Sequence, residues 1–129
     1  MNSVNPSFGK FFESFIPAIK GLVSAFKSEQ NLRFHFILIV CVIFLGIVTN
    51  ITLLEWLVII VFFAIVISME LINTAIEKLS DFVQPERDNR IKIIKDISAS
   101  AVFWAALMAF FAGLLIFIPK ISIIVNKFQ

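Results

Sequence analysis

The sequence is most informative at first through what it lacks. Its single cysteine, Cys41, excludes a disulfide within the chain and lies in an apolar run, where inert packing is its expected role. The net charge of +2 is small, and lysine and arginine lie in the connections, so nucleic acid is not an expected partner. The P-loop, the Rossmann glycine fingerprint, CxxC and HExxH are all absent. These absences exclude the best-known motifs for nucleotide, redox and zinc chemistry.

What the chain has in abundance is apolar surface. Of its 129 residues 60% are hydrophobic and 16 are phenylalanine, and the mean hydropathy is +0.99. A soluble domain of this length could not bury so much apolar surface, so the composition indicates one membrane domain spanning residues 1–129. The opening MNSVNPSFGK lacks the basic-then-apolar order of a cleaved signal peptide, and we expect the whole chain to be mature.

The apolar residues fall into segments that predict an all-α integral membrane fold. Three runs, at about 34–48, 53–76 and 97–118, approach the ~20 residues that cross the hydrocarbon, and only helices satisfy their backbones there. The segment at about 9–28 has helical apolar spacing with charges elsewhere, which predicts an amphipathic helix on the membrane surface. Pro17 requires that this helix either begin near it or bend at it.

The basic residues predict how the chain lies across the membrane. Lysine and arginine are frequent before the first span and between residues 78 and 96, but absent from the short turn at 49–52. The positive-inside rule then places the N-terminus and the 78–96 connection in the cytoplasm and the C-terminus outside. The third span also carries small residues at every fourth position, which predicts close helix packing and a homo-oligomer. These residues are Ala101, Ala105, Ala109 and Gly113.

A polar stripe at the end of the second span is the strongest sign of function. Glu70, Asn73 and Glu77 follow at i, i+3 and i+7, and so share one helical face. The two carboxylates are roughly 10 Å apart along the axis, which favours separate roles. The charge at Glu77 is sufficiently explained if the helix enters the headgroup layer there. The same explanation is poor for Glu70, which lies about two turns deeper.

The polar residues on the predicted cytoplasmic side suit phosphate chemistry. Carboxylates with an amide suit Mg²⁺, nearby lysine and arginine suit phosphates, and a carboxylate sunk in an apolar helix suits a general base. Physical chemistry therefore permits phosphoryl transfer at a membrane surface, but an ion-coupled transport subunit would also use an intramembrane carboxylate. His35 is interpreted as a headgroup-level polar residue without a catalytic role. The residues in question are Glu29, Arg33, Glu70, Asn73, Glu77, Asp81, Lys95 and Asp96.

Three stretches resemble a known family. ELINTAIEKLSD (70–81), KDISASAV (95–102) and AIKGLVSAFKSEQNLRFH (18–35) are similar to the small prokaryotic diacylglycerol kinase and undecaprenol kinase family. The resemblance implies a homotrimer of three-helix protomers in the bacterial cytoplasmic membrane, with sites shared between subunits. It also implies transfer of the γ-phosphate of ATP, with Mg²⁺, to the hydroxyl of a membrane lipid alcohol, either undecaprenol or diacylglycerol.

The same resemblance implies roles for individual residues. Glu70 matches the base that removes the proton from the lipid hydroxyl, and Glu29 and Glu77 match the carboxylates that hold the divalent metal. Arg33 and Ser98 are further polar positions expected near the substrate. The positions expected to bind ATP are Asn73, Glu77, Lys95, Asp96 and Asp81.

The choice of lipid depends on the first span. Its start, with Asn31, Arg33 and His35, looks more like the undecaprenol kinase branch than the diacylglycerol kinase branch, where an acidic residue is expected at position 35. Two other functions stay open: a non-catalytic membrane assembly or transport subunit of the same fold, and a phosphatase-like use of the polar face. The retained carboxylates count against the first, and the lack of a partnered nucleophile counts against the second.

Overall fold

The computed structural model describes residues 8–126, with side chains from residue 11, and is helical throughout its regular structure. Three of its helices are long and apolar enough to cross a membrane, and an N-terminal helical segment precedes them, so the predicted all-α membrane fold is confirmed. The expectation about an uncleaved N-terminus concerns residues 1–7, outside the described range. The helices are α1 (Phe8–Glu13), α2 (Phe15–Ser28), α3 (Gln30–Val48), α4 (Leu53–Val83) and α5 (Asn89–Asn126).

The N-terminal segment is two helices instead of one. The helix breaks at Ser14, whose hydroxyl donates to the Phe11 carbonyl at 2.6 Å, and α2 begins immediately afterwards. Pro17 is the third residue of α2, where its missing N–H is harmless because the first N–H groups of a helix have no acceptor within it. Pro17 allowed either a helix that begins near it or a helix that bends at it. In the structure α2 begins two residues before it.

The turn between α3 and α4 is short and closely specified. Asn50 adopts the left-handed conformation, with φ at 51°, which asparagine tolerates better than most residues. Thr52 then caps α4 by accepting from the Glu55 N–H at 3.3 Å, while the Glu55 carboxylate accepts from the Thr52 N–H at 2.6 Å. This reciprocal capping box satisfies two backbone donors that would otherwise lack partners.

An apolar cluster closes the bundle at this turn. Lys120 on α5 pairs with the Glu55 carboxylate at 3.2 Å, beside the cluster. Gly46 allows Trp56 to pack directly against α3, because a Cβ at that position would lie 2.8 Å from the indole ring. The buried members of the cluster are Ile51, Ile59, Ile116 and Phe117. We call this region the turn end of the bundle.

Outside the members of this cluster, the long helices expose many apolar side chains. Phe44 is 69% exposed and Leu115 is 79% exposed, which is expected where lipid replaces water. The helices also continue beyond the predicted spans: α3 begins at residue 30, α4 ends at residue 83, and α5 covers residues 89–126. Hydropathy detects only the part of a helix that lies in hydrocarbon, whereas the polar turns at either end remain helical.

The loop between α4 and α5 ends at a cap. The Asp88 carboxylate accepts from the backbone N–H of Arg90 at 2.7 Å and from its guanidinium at 2.8 Å. These bonds, the guanidinium first, lower the pKa of Asp88 to about 2. The carboxylate is therefore charged throughout the physiological range, and a negative charge at the start of α5 suits the helix dipole.

Candidate active site

The polar stripe of α4 is largely withdrawn from solvent in the structure. Glu70 is 3% exposed and Asn73 is 8% exposed, while Glu77 is half-buried. The Asn73 amide nitrogen donates to the Glu77 carboxylate at 3.1 Å, as the i, i+4 spacing allows. The Asn73 carbonyl oxygen is buried without a hydrogen-bond partner. A buried acceptor left in this state is costly, which makes it a candidate ligand position.

His35 stands opposite Glu70. The helix α3 begins at Gln30, which places the imidazole in its second turn, and Nε2 lies 3.0 Å from the Glu70 Oε1. The histidine side chain is 18% exposed against 3% for the glutamate. Sequence spacing gave no signal for this pair, because the two residues are on different helices and only the helix register brings them together. The sequence had assigned His35 no catalytic role.

The break between α2 and α3 brings a second carboxylate to the site. Glu29 ends α2 and precedes α3, and its carboxylate accepts from the Ser28 hydroxyl at 2.8 Å. Lys78 of α4 donates to that same hydroxyl at 2.9 Å and lies 4.0 Å from the Glu29 carboxylate. Glu77 lies on the same face of α4 as Glu70, and Glu29 is tied to that helix through Lys78. The structure thus gathers the three predicted carboxylates around one region, which we call the site end of the bundle.

The start of α5 supplies the cation of the site. The Lys95 ammonium pairs with the Asp81 carboxylate at 2.9 Å, and it lies within Coulombic range of Glu77. A cavity of about 610 Å³ adjoins this pair and is lined by the α4–α5 loop and the first turns of α5. Most of its lining residues are polar or charged, and the charges are of both signs. An open polar cavity beside a lysine suits a phosphorylated ligand.

Three predicted residues take no part in the side-chain contacts described above. Arg33 is exposed and donates back to the Lys27 carbonyl at the end of α2, at 3.2 Å. Asp96 is exposed on α5, next to Lys95. Ser98 is buried on the same helix, at 8% exposure. Their roles near the nucleotide or the substrate stay predictions.

The donor set fits a hard divalent cation that is shared with phosphate. In the described part of the chain no three histidine, cysteine or acidic side chains form a ready-made metal cage. Mg²⁺ does not require one, because it keeps waters and phosphate oxygens and takes only one or two carboxylates from the protein. Glu77, with the unpartnered Asn73 oxygen beside it, offers oxygen donors of the right hardness, and Glu29 contacts the same helix through Lys78.

The fold and this site together define a class of protein: an integral membrane protein with a buried carboxylate and a group of charged side chains at one end of its bundle. Comparison with known proteins gives the family. The family described as prokaryotic diacylglycerol kinase matches residues 17–117. The undecaprenol kinase of Bacillus subtilis (strain 168) is 34% identical over 112 residues, which cover 87% of this chain and 91% of that protein. No solved structure matches.

The chain therefore belongs to the prokaryotic diacylglycerol kinase family, and it is a membrane lipid kinase. The resemblance stated from ELINTAIEKLSD and its companion stretches is confirmed by both matches.

Proposed function

We propose that this kinase transfers the γ-phosphate of ATP to the hydroxyl of undecaprenol, giving undecaprenyl phosphate. The observation that carries the proposal is the Glu70 carboxylate, which is buried in a helix long and apolar enough to span the membrane. The choice of lipid rests on the undecaprenol kinase of Bacillus subtilis, which resembles this chain over most of its length. Diacylglycerol is the second candidate, because it gives its name to the family.

Glu70 acts as the general base in this proposal. The lipid oxygen forms a bond to the γ-phosphorus while the bond from that phosphorus to the bridging oxygen breaks, and ADP leaves. The hydroxyl proton passes to the Glu70 carboxylate. A buried carboxylate in an apolar helix, here 3% exposed, suits a general base.

The remaining polar groups hold the nucleotide. Glu77 and Glu29, with Asn73 beside them, would hold Mg²⁺, which would supply positive charge to the ATP phosphates. Lys95 neutralises a further part of the phosphate charge, and its pairing with Asp81 keeps it at the mouth of the polar cavity. Asp81 and Asp96 lie near the nucleotide, and Arg33 and Ser98 near the lipid. The support for these assignments is their placement at one end of the bundle.

The site end faces the cytoplasm of a bacterium, across its inner membrane. The support is the charge distribution, since the lysine and arginine residues concentrate before α3 and around the α4–α5 loop. ATP is available on that side. The turn end then faces outward, together with the C-terminus.

The active form is a homotrimer packed through the small residues of α5. Gly113 supports this, because a Cβ there would meet no atom of its own chain within 4 Å. We expect Gly113→Leu to weaken assembly and Ser122→Leu, elsewhere on the exposed surface of α5, to leave it intact. Cross-linking in detergent measures both. A trimer that is unchanged by Gly113→Leu would place the interface elsewhere.

Transfer of label from γ-³²P-ATP tests the function. Purified protein in mixed micelles with Mg²⁺ is given undecaprenol or, separately, diacylglycerol. Labelled undecaprenyl phosphate is the expected product, formed at a higher rate than labelled phosphatidic acid. A preference for diacylglycerol would overturn the lipid assignment but keep the kinase. Label in neither lipid, from folded trimer, would contradict the proposal and favour a non-catalytic membrane subunit.

A further inference from the structure

The pair formed by Glu70 and His35 leads to an inference about how the base is held. A carboxylate at the edge of hydrocarbon is expensive to bury unless a partner satisfies it. His35 is the side chain that the structure pairs with it, with 3.0 Å between Nε2 and Oε1. The partner comes from a different helix, so the contact fixes the carboxylate relative to α3 as well as to α4.

We propose that His35 is a positioning residue for the base: its Nε2–H donates to the Glu70 Oε1 and leaves Oε2 free to accept the lipid hydroxyl proton. This inference rests on the proposed function of Glu70. The imidazole touches neither ATP nor the reacting atoms. It acts by holding one carboxylate oxygen so that the other has a fixed direction.

The chemistry of imidazole suits this task better than that of a permanent cation. A lysine or arginine at the same distance would stabilise the carboxylate with a full charge and make it a weaker base. A neutral imidazole donates a hydrogen bond without that charge. Lys78 and Lys95, the nearby cations, are instead paired with Ser28 and Asp81. Neither lysine contacts Glu70, so the imidazole is the donor that the structure pairs with that carboxylate.

The surroundings of His35 keep the pair in a largely dry environment. The imidazole borders a cavity of about 430 Å³ between α3, α4 and α5, whose lining is mostly apolar. Val66 of α4 and Ala109 and Phe110 of α5 are among its walls. A hydrogen bond that borders such a cavity is stronger than one in water. The direction that it gives to the carboxylate is therefore well maintained.

Two substitutions separate positioning from mere packing. His35→Leu keeps the volume but removes the donor, and we expect kcat to fall by about 10- to 100-fold with KM for ATP nearly unchanged. His35→Gln restores an N–H at similar reach, and we expect it to recover most of the lost turnover. Wild-type turnover in His35→Leu, or equal loss in both variants, would overturn the proposal.

A spectroscopic test needs no turnover. His35 is the only histidine in the sequence, so the ¹⁵N-imidazole signals of untagged, histidine-labelled protein are assigned without further work. We expect Glu70→Gln to move the Nε2 signal more than the Nδ1 signal. Unchanged signals would overturn the contact itself. Failure of the underlying function has a different signature: Glu70→Gln would then retain turnover, whatever the spectra show.

Discussion

The two ends of the helical bundle solve opposite problems. At the turn end, apolar side chains interlock, Glu55 caps the helix that carries it, and Lys120 neutralises that carboxylate. At the site end, a glutamate is buried beside a histidine, and two adjacent residues, Asn73 and Thr74, each bury a polar atom without a partner. Helix α4 is therefore held by capping and packing at one end, whereas at the other end it has buried polar atoms without hydrogen-bond partners.

This difference has a thermodynamic meaning. Buried polar atoms without partners cost stability, whereas a capping box and a packed apolar cluster contribute to it. Sites that must bind and release ligands commonly have such a cost, which bound ligand can offset. The turn end therefore contributes stability, and the site end retains groups for a ligand.

The largest effect is expected from the same substitution at the two ends of α4. Glu70→Gln removes the proposed base, and we expect turnover to fall by about 100- to 10,000-fold in a protein that still assembles. Glu55→Gln is the matched control, because glutamine also completes a capping box, and its turnover should stay near the wild-type value. Lipid phosphorylation measures both. Equal losses of turnover in the two variants would contradict the difference in function between the two ends of α4.

A smaller effect is expected at the other carboxylate of the stripe. Glu77→Gln removes a charged oxygen ligand, and we expect KM for Mg-ATP to rise by about tenfold or more, with a smaller change in kcat. Initial rates across ATP and Mg²⁺ concentrations separate the two parameters. The opposite pattern, a lower kcat with an unchanged KM, would mean that Glu77 acts in the chemical step.

At the turn end we expect loss of stability without loss of chemistry. Gly46→Ala places a methyl group 2.8 Å from the Trp56 ring, and overpacking of this kind costs about 1–3 kcal/mol. Gly21→Ala meets no atom within 4 Å and is the control, since it gains helix propensity of up to about 1 kcal/mol. Thermal unfolding in micelles compares them. Lower kcat in folded Gly46→Ala protein would show that the ends are not independent.

The smallest expected effect concerns the cap. Thr52→Ala removes the side-chain acceptor of the capping box and should cost about 1 kcal/mol, whereas Thr52→Ser retains it. Unfolding midpoints of the two variants, measured under the same conditions, give the difference. Equal midpoints would remove the cap from the features that stabilise the turn end.

The sequence predicted those features that depend on local spacing. Runs of apolar residues gave the three long helices, and the i, i+3, i+7 spacing placed Glu70 and Glu77 on one face. The pair of His35 with Glu70 could not be predicted, because it depends on the rotation of α3 against α4. The sequence also predicted α4 and α5 to be shorter than they are in the structure. Charged residues end a hydrophobic run, but they do not end a helix. Residues 77–83 and 89–96 contain such charges and are helical nonetheless.

The length of α4 has a consequence for the enzyme's dependence on its lipid environment. Its 31 residues form a rod of about 46 Å, longer than the roughly 30 Å of bilayer hydrocarbon. Glu70 lies about 25 Å from the start of this rod, near the far edge of the hydrocarbon. A thicker bilayer draws the carboxylate inward and a thinner one exposes it. Acyl-chain length is therefore a physical control on the environment of the base, without any change in the protein.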